Sequence, residues 1–252
     1  MKIKKLFYSP FKSCAMMNTE QLVVQQGIGI VGDRNFALVR MLNEDAAIAF
    51  QNKREARNII NYFSLKSTPV LNRYSFRIEE KIITLYKKNK KIVSTIHKDF
   101  ASLQIIAQAF QQEEQIEDQK IFLVYNKEIP FFDTVQHNTI SLINLNSLKD
   151  FNARNSLTID LERFRANIYI DGVDPFQEQE WEGKQISIDG KLFDVFATIP
   201  RCKATHYPYG SQEADCNVPQ LLQQTYGHVD LGIYLRPTHE ATITLQSQIF
   251  LP

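Results

Sequence analysis

Cys202 directly follows Arg201 and stands just past an apolar run that ends at Ile199-Pro200. Its residue type and neighbour offer more chemistry than any other cysteine in the chain. A thiolate is both a nucleophile and a soft metal ligand, and an adjacent guanidinium is expected to lower the thiol's pKa. Cys14 and Cys216 have less around them and read as inert thiols. The remaining candidates are cations and polar groups at loop or strand edges: Lys12 with Ser13, Arg34, and Arg163 with Arg165 and Asn167. Arginine forks match phosphate oxygens bidentately and lysine supplies a point charge, so these side chains could hold an anion. Taken singly, each is more often a solvated charge or a salt-bridge partner. His206, His228 and His239 lack metal-ligand spacing, and neither a GxSxG nor a CxxC motif is present.

Most of the elements that must position these residues read as strands. Ile3 to Tyr8 runs into Ser9-Pro10, where pairing should stop, and Phe36 to Val39 forms a short apolar run that places Arg34 at a strand entrance. From Asn52 the spacing of Ala56, Ile59, Ile60 and Phe63 predicts one face of a helix, closed by Pro69. Val70 to Ile78, Ile82 to Tyr86 and Ile92 to Ile96 read as a meander with lysines at its tip, followed by an amphipathic helix on Phe100, Leu103, Ala107 and Phe110. Strands at 121–125 and 140–143 precede a short helix around 147–151. Arg163 and Arg165 point the same way if that segment is extended, and the strand Ile168 to Ile170 follows. Asp189-Gly190 between two β-rich runs predicts a type I′ hairpin whose second strand delivers Cys202. Pro219 opens a last helix with Gly227 as its C-cap, and three strands finish the chain. The fold class expected is mainly β with peripheral helices (α+β), barrel-like in architecture.

Composition sets outer limits. In 252 residues a net charge of +1 and a hydrophobic fraction of 44% describe an ordinary globular chain and exclude disorder or coiled coil. The absence of a basic excess argues against a nucleic-acid partner, so any anion site must be local. Three dispersed cysteines exclude a cysteine-only metal cluster, and no apolar stretch approaches membrane-span length, so a cytoplasmic protein with no membrane partner is expected.

The order of the pieces adds a resemblance. Ser9-Pro10-Phe11-Lys12-Ser13-Cys14, Gly32-Asp33-Arg34, Ile140 to Leu145, Arg163-Phe164-Arg165-Ala166-Asn167, Pro175 to Trp181, Pro200-Arg201-Cys202-Lys203-Ala204-Thr205, Asn217-Val218-Pro219 and Tyr226-Gly227-His228 occur together. In combination they resemble the MOSC family, named for the molybdenum cofactor sulfurase C-terminal domain. Its members include the mitochondrial amidoxime-reducing component and bacterial relatives that reduce N-hydroxylated compounds.

The resemblance implies an N-terminal β-barrel-like module at 1–95 and a MOSC β-barrel domain at 96–252, with a molybdenum cofactor (Mo-molybdopterin) between them. It implies that Cys202 is the metal ligand, that Cys202 and Arg201 are catalytic, and that Lys12, Ser13, Arg34, Arg163, Arg165 and Asn167 bind the cofactor. The expected activity is reduction of an N–O compound by oxygen-atom transfer, with a small-molecule substrate and a separate electron-transfer protein. Two rival readings are a sulfur carrier using a Cys202 persulfide and a cofactor-binding module without turnover. The chain departs from the family pattern at Pro200, where many relatives have serine, in the loop His206 to Gly210, and at Glu240-Ala241 and Gln246-Ser247, where glycines are common.

Overall fold

The computed structural model describes residues 1–132 and 138–251. The chain starts with β1 (Lys2–Tyr8), β2 (Met17–Thr19), β3 (Gln21–Gln25), β4 (Gly29–Ile30) and β5 (Phe36–Arg40). A bulge between Ile3 and Lys5 explains how β1 leaves Lys4 and Lys5 exposed in succession and still buries Ile3 and Leu6. β3 alternates cleanly, burying Leu22 and Val24. In β5 the run Phe36 to Val39 is buried throughout, as its composition predicts.

The helix expected over 56–63 does not form. Instead α1 (Glu44–Asn52) ends where that helix was to begin; the Asn43 side chain caps it, accepting from Ala46 N, and Ala47 and Phe50 are buried. Beyond it come short 3-10 turns at Arg54–Ala56 and Ile59–Asn61, the second set by the Asn58 side chain accepting from Ile60 N. Tyr62 then bridges Val39, and Phe63 N donates to Leu38 O, so pairing with β5 takes the segment that helical periodicity claimed. Ile60 is left 71% exposed. Pro69 opens a further 3-10 turn rather than closing a helix.

The meander forms as β6 (Tyr74–Glu79), β7 (Ile82–Lys87) and β8 (Lys90–Ile96), starting four residues later than Val70. Against it packs α2 (Phe100–Glu113), whose Asp99 and Ser102 make a reciprocal capping box and whose Leu103, Ile106, Ala107 and Phe110 face inward. Next come β9 (Ile121–Tyr125), β10 (Ile140–Asn144), α3 (Leu145–Arg154), β11 (Ile168–Asp171), β12 (Gln185–Ile188), β13 (Lys191–Pro200), α4 (Val218–Tyr226), β14 (Asp230–Pro237), β15 (Ala241–Thr244) and β16 (Ile249–Phe250).

Eight strands make the principal sheet, in the order β16-β12-β13-β14-β10-β11-β1-β2. Only β10 and β11 run parallel within it, and α3 supplies the crossover that a parallel pair needs. The sheet curls into a half-barrel, and a bridge between Gln248 and Lys2 brings the β16 end back to β1. Inside the curl lies one apolar cluster, which includes Ile3, Leu6, Leu142, Ile168, Trp181, Phe193 and Ile233. A second cluster, spanning Phe11 to Leu123, packs β5, the meander and α2 together. Among the described residues the fold is thus mainly β with four α-helices. Among the described residues no helix is long and apolar enough to cross a membrane.

Candidate anion-binding cavity

The loop after β1 folds around one hydroxyl. Ser9 Oγ lies 2.7 Å from Phe11 O and 3.1 Å from Ala15 O, while Ser9 N donates to Asp33 Oδ1 at 2.7 Å. Arg34 N donates to Ser9 O, Phe36 N to Pro10 O and Lys12 N to Phe36 O, so the two loops run side by side. Both Ser13 (φ 67°) and Arg34 (φ 54°) sit in the left-handed region, as does Arg165 (φ 57°). Non-glycine residues there carry strain of about 1 kcal/mol or more, which the surrounding bonds must offset.

These three residues border one cavity of about 170 Å³, lined also by Lys12, Asn167, Arg201, Ser64, Lys66, Phe132, Thr139, Ser141, Phe164, Ala204 and Tyr234. Among the described residues that line it, five are cationic and none is Asp or Glu. Asp33, buried just behind, pairs with Arg34 Nη1 and accepts from Asn167 Nδ2 at 3.4 Å. Asn167 is occupied structurally: its carbonyl accepts from Ser141 N and Oγ, and its amide also donates to Phe7 O, stapling β1, β10 and β11.

Arg165 is the most exposed to conflict. Nη2 donates to Cys14 O at 2.6 Å, but Nη1 is shielded from solvent and has no hydrogen-bond partner. Burial, with the like charge of Arg34 beside it, depresses its pKa to about 10. Arg201 is partly buried, and desolvation disfavours its cationic form as well. It donates only to main-chain carbonyls, Nε to Leu231 O at 2.8 Å and Nη1 to Phe164 O at 3.1 Å. Gly232 makes room for it: a Cβ there would stand 3.2 Å from Arg201 Nη2 and only 2.5 Å from Leu142 O.

Arg163 lies elsewhere. The segment expected to be extended is a 3-10 turn (Leu161–Phe164) followed by the left-handed Arg165, so the two arginines diverge. Arg163 forms a bidentate pair with Asp215, at 2.8 and 2.6 Å, and its Nη1 lies 2.9 Å from Cys216 Sγ. It does not line the cavity. Cys216 therefore has a cation beside it as well as Asp215, and burial raises its thiol's pKa all the same. Cys14 is 2% exposed, and burial pushes its thiol up to about 12, in keeping with an inert role.

Cys202 lies between two lining residues, Arg201 and Ala204, but is not itself part of the cavity wall. Partly exposed, it precedes the 3-10 turn Lys203–His206, and its carbonyl accepts from Thr205 N and Oγ1. The Arg201 guanidinium, held by Leu231 O and Phe164 O, is turned toward the cavity. Lys66, Phe132, Thr139 and Tyr234 also line the cavity, and no spacing or turn signal in the sequence marks them; nor does the Gly32-Asp33-Arg34 motif reveal Asp33 as the buried counter-charge.

Residues 132–249 match the MOSC domain family model, and the chain carries a MOSC domain. That domain relates it to the molybdenum cofactor. Among solved structures it is similar to the YuaD protein from Bacillus subtilis (10% identity, TM-score 0.43, covering 98% of this chain and 93% of that one). It is also similar to YiiM from Geobacillus stearothermophilus (18% identity, TM-score 0.36, covering 45% and 53%). No curated protein matches the chain.

Proposed function

We propose that the cavity holds the phosphate end of a molybdopterin-type cofactor and that the protein is a molybdenum-dependent oxidoreductase acting on N-hydroxylated or related N–O compounds. The observation that carries this reading is Arg165: a partly buried guanidinium with a shielded, orphaned Nη1, in a cavity whose described lining includes five cations. A dianionic phosphate supplies the missing acceptor for Arg165 Nη1 and suits the surrounding cations. The fit extends to that end of the cofactor. About 170 Å³ is below the range of about 300–1,000 Å³ usual for a whole small-molecule site, so the pterin would project beyond the described cavity.

In this reading Lys12, Arg34 and Arg165 hold the phosphate, while the Ser13 hydroxyl is available to donate. Arg201, fixed by two carbonyls, keeps a positive potential over the strand ends. Asn167 acts indirectly, by fixing Asp33 and hence Arg34. Cys202, flanked by Arg201 and Ala204, provides the soft thiolate that a molybdenum ion takes as ligand. When bound, the cofactor supplies the two-electron redox chemistry. The net reaction converts a hydroxylamine-type R–NH–OH, two electrons and two protons into R–NH₂ and water, the electrons coming from a separate electron-transfer protein.

A second reading draws on the partial exposure of Cys202 and its place outside the cavity wall: a carrier that holds a sulfane sulfur as a Cys202 persulfide. Metal and pterin content of protein made in a cofactor-competent host decides between them. The reductase requires about one molybdenum per chain, lost in Cys202→Ala, together with turnover of an amidoxime by an artificial donor. Metal-free protein bearing cyanide-labile sulfur on Cys202 refutes it in favour of the carrier, and fully metallated protein without turnover leaves a binding module.

A further inference from the structure

Arg34 lines the cation cavity, but its neighbours Asn35 and Phe36 line a second cleft, of about 550 Å³, that shares no lining residue with the first. One wall of this cleft is aromatic: Tyr8, His97 and Tyr125 are partly exposed there, backed by the buried Phe36. Phe36 and Tyr125 have centroids 4.6 Å apart, and His97 packs edge-on to both at 5.2 and 4.2 Å, with Tyr8 nearby on the lining. In the same cleft Asn35 is 7% exposed, and its Oδ1 has no hydrogen-bond partner. A buried acceptor without a donor is a standing cost that an incoming N–H removes.

Charge narrows the ligand further. Among the described lining residues there is no Lys or Arg, and the carboxylate of Glu80 is exposed, so this cleft is opposite in character to the cation cavity. Burial lowers the pKa of His97 and so disfavours its cationic form. The geometry points to a second binding site here, for a planar aromatic heterocycle, neutral or cationic, that stacks on the aromatic wall and donates an N–H to Asn35 Oδ1. The cleft's volume suits a two-ring ligand.

Tryptamine, 1-methyltryptamine and indole-3-acetate separate the components of this site, titrated calorimetrically into the full chain at pH 7.5. Tryptamine should bind one to one. Removing the ring N–H by methylation should weaken binding about tenfold, equivalent to about 1.4 kcal/mol, and the anionic acetate should bind at least as poorly. Asn35→Ala should bind tryptamine and 1-methyltryptamine alike. Glu80→Gln, at an exposed turn, should narrow the gap between tryptamine and indole-3-acetate while keeping the N–H discrimination. Saturating pyrophosphate should leave tryptamine binding unchanged. If Asn35→Ala fails to fold, the ligand series on the parent and on Glu80→Gln decides. No binding at millimolar tryptamine, equal affinity of the parent for the methylated ring, or competition by pyrophosphate would each overturn the site.

Discussion

Replacing Arg165 by methionine should make the ligand-free protein more stable while removing its response to anions. The pKa depression from an ordinary 12.5 to about 10 corresponds to about 3 kcal/mol between charged and neutral guanidinium. Arg165 retains some solvent contact, which reduces the penalty to about 2 kcal/mol. For a base whose folded pKa lies below its unfolded one, the charged form is disfavoured in the fold. The penalty is therefore complete at neutral pH and is relieved only as pH rises through about 10. Methionine has similar length and inherits the same left-handed backbone, so strain cancels between the two proteins. Against the gain stands the lost bond to Cys14 O, worth about 1 kcal/mol. The net of about 1 kcal/mol raises Tm by about 2–4 °C in a chain of this size. With inorganic phosphate or pyrophosphate at a hundred times its Kd, the parent should gain about 2.7 kcal/mol, and Arg165→Met should gain far less. Differential scanning calorimetry at matched ionic strength, with chloride as control, reads both effects. A variant that melts below the parent in chloride and keeps the parent's phosphate shift would refute the reasoning.

Three further outcomes follow from other parts of the fold. Gly232→Ala places a Cβ 2.5 Å from Leu142 O and 2.7 Å from Ile143 Cγ1 at a φ of +87°, and should cost about 3 kcal/mol or more, read as a lower denaturation midpoint in urea. Burial raises the pKa of Glu178, opposed by the bonds from Ser147 Oγ at 2.8 and 2.9 Å and from Asn144. A raised folded value means that its contribution is largest below the ordinary carboxyl range and is lost as pH rises through the folded pKa. Glu178→Gln should flatten the stability profile over that window, and an unchanged profile would contradict the assignment. In native protein at pH 8, iodoacetamide should alkylate Cys202 and spare Cys14, whose thiol is buried and pushed up to about 12; peptide mapping that finds Cys14 modified first would overturn this.

Where sequence and structure agree, the signal is local and strong. Asp189 (φ 47°) and Gly190 (φ 79°) make the expected hairpin turn, pairing Ile188 with Lys191, because two successive left-handed residues favour few sequences other than Asp-Gly or Asn-Gly. Helix α2 forms because its apolar face and its capping box coincide. The segment 56–63 carries the same period without a matching cap, and Asn58 and the bridge of Tyr62 to Val39 redirect it. The cations show the limit more sharply. Their identities and loop positions are legible, but their convergence depends on the backbone conformations of Ser13, Arg34 and Arg165, which the left-handed region does not advertise in residues other than glycine. Arg163 and Arg165 stand two apart in sequence and are separated by one such φ: the first neutralises Asp215, while the second is left facing an open cavity with an unpaired Nη1. A chain of net charge +1 can therefore concentrate positive charge locally: among the described residues five cations line that cavity without a carboxylate, and Asp33 behind them is paired with Arg34.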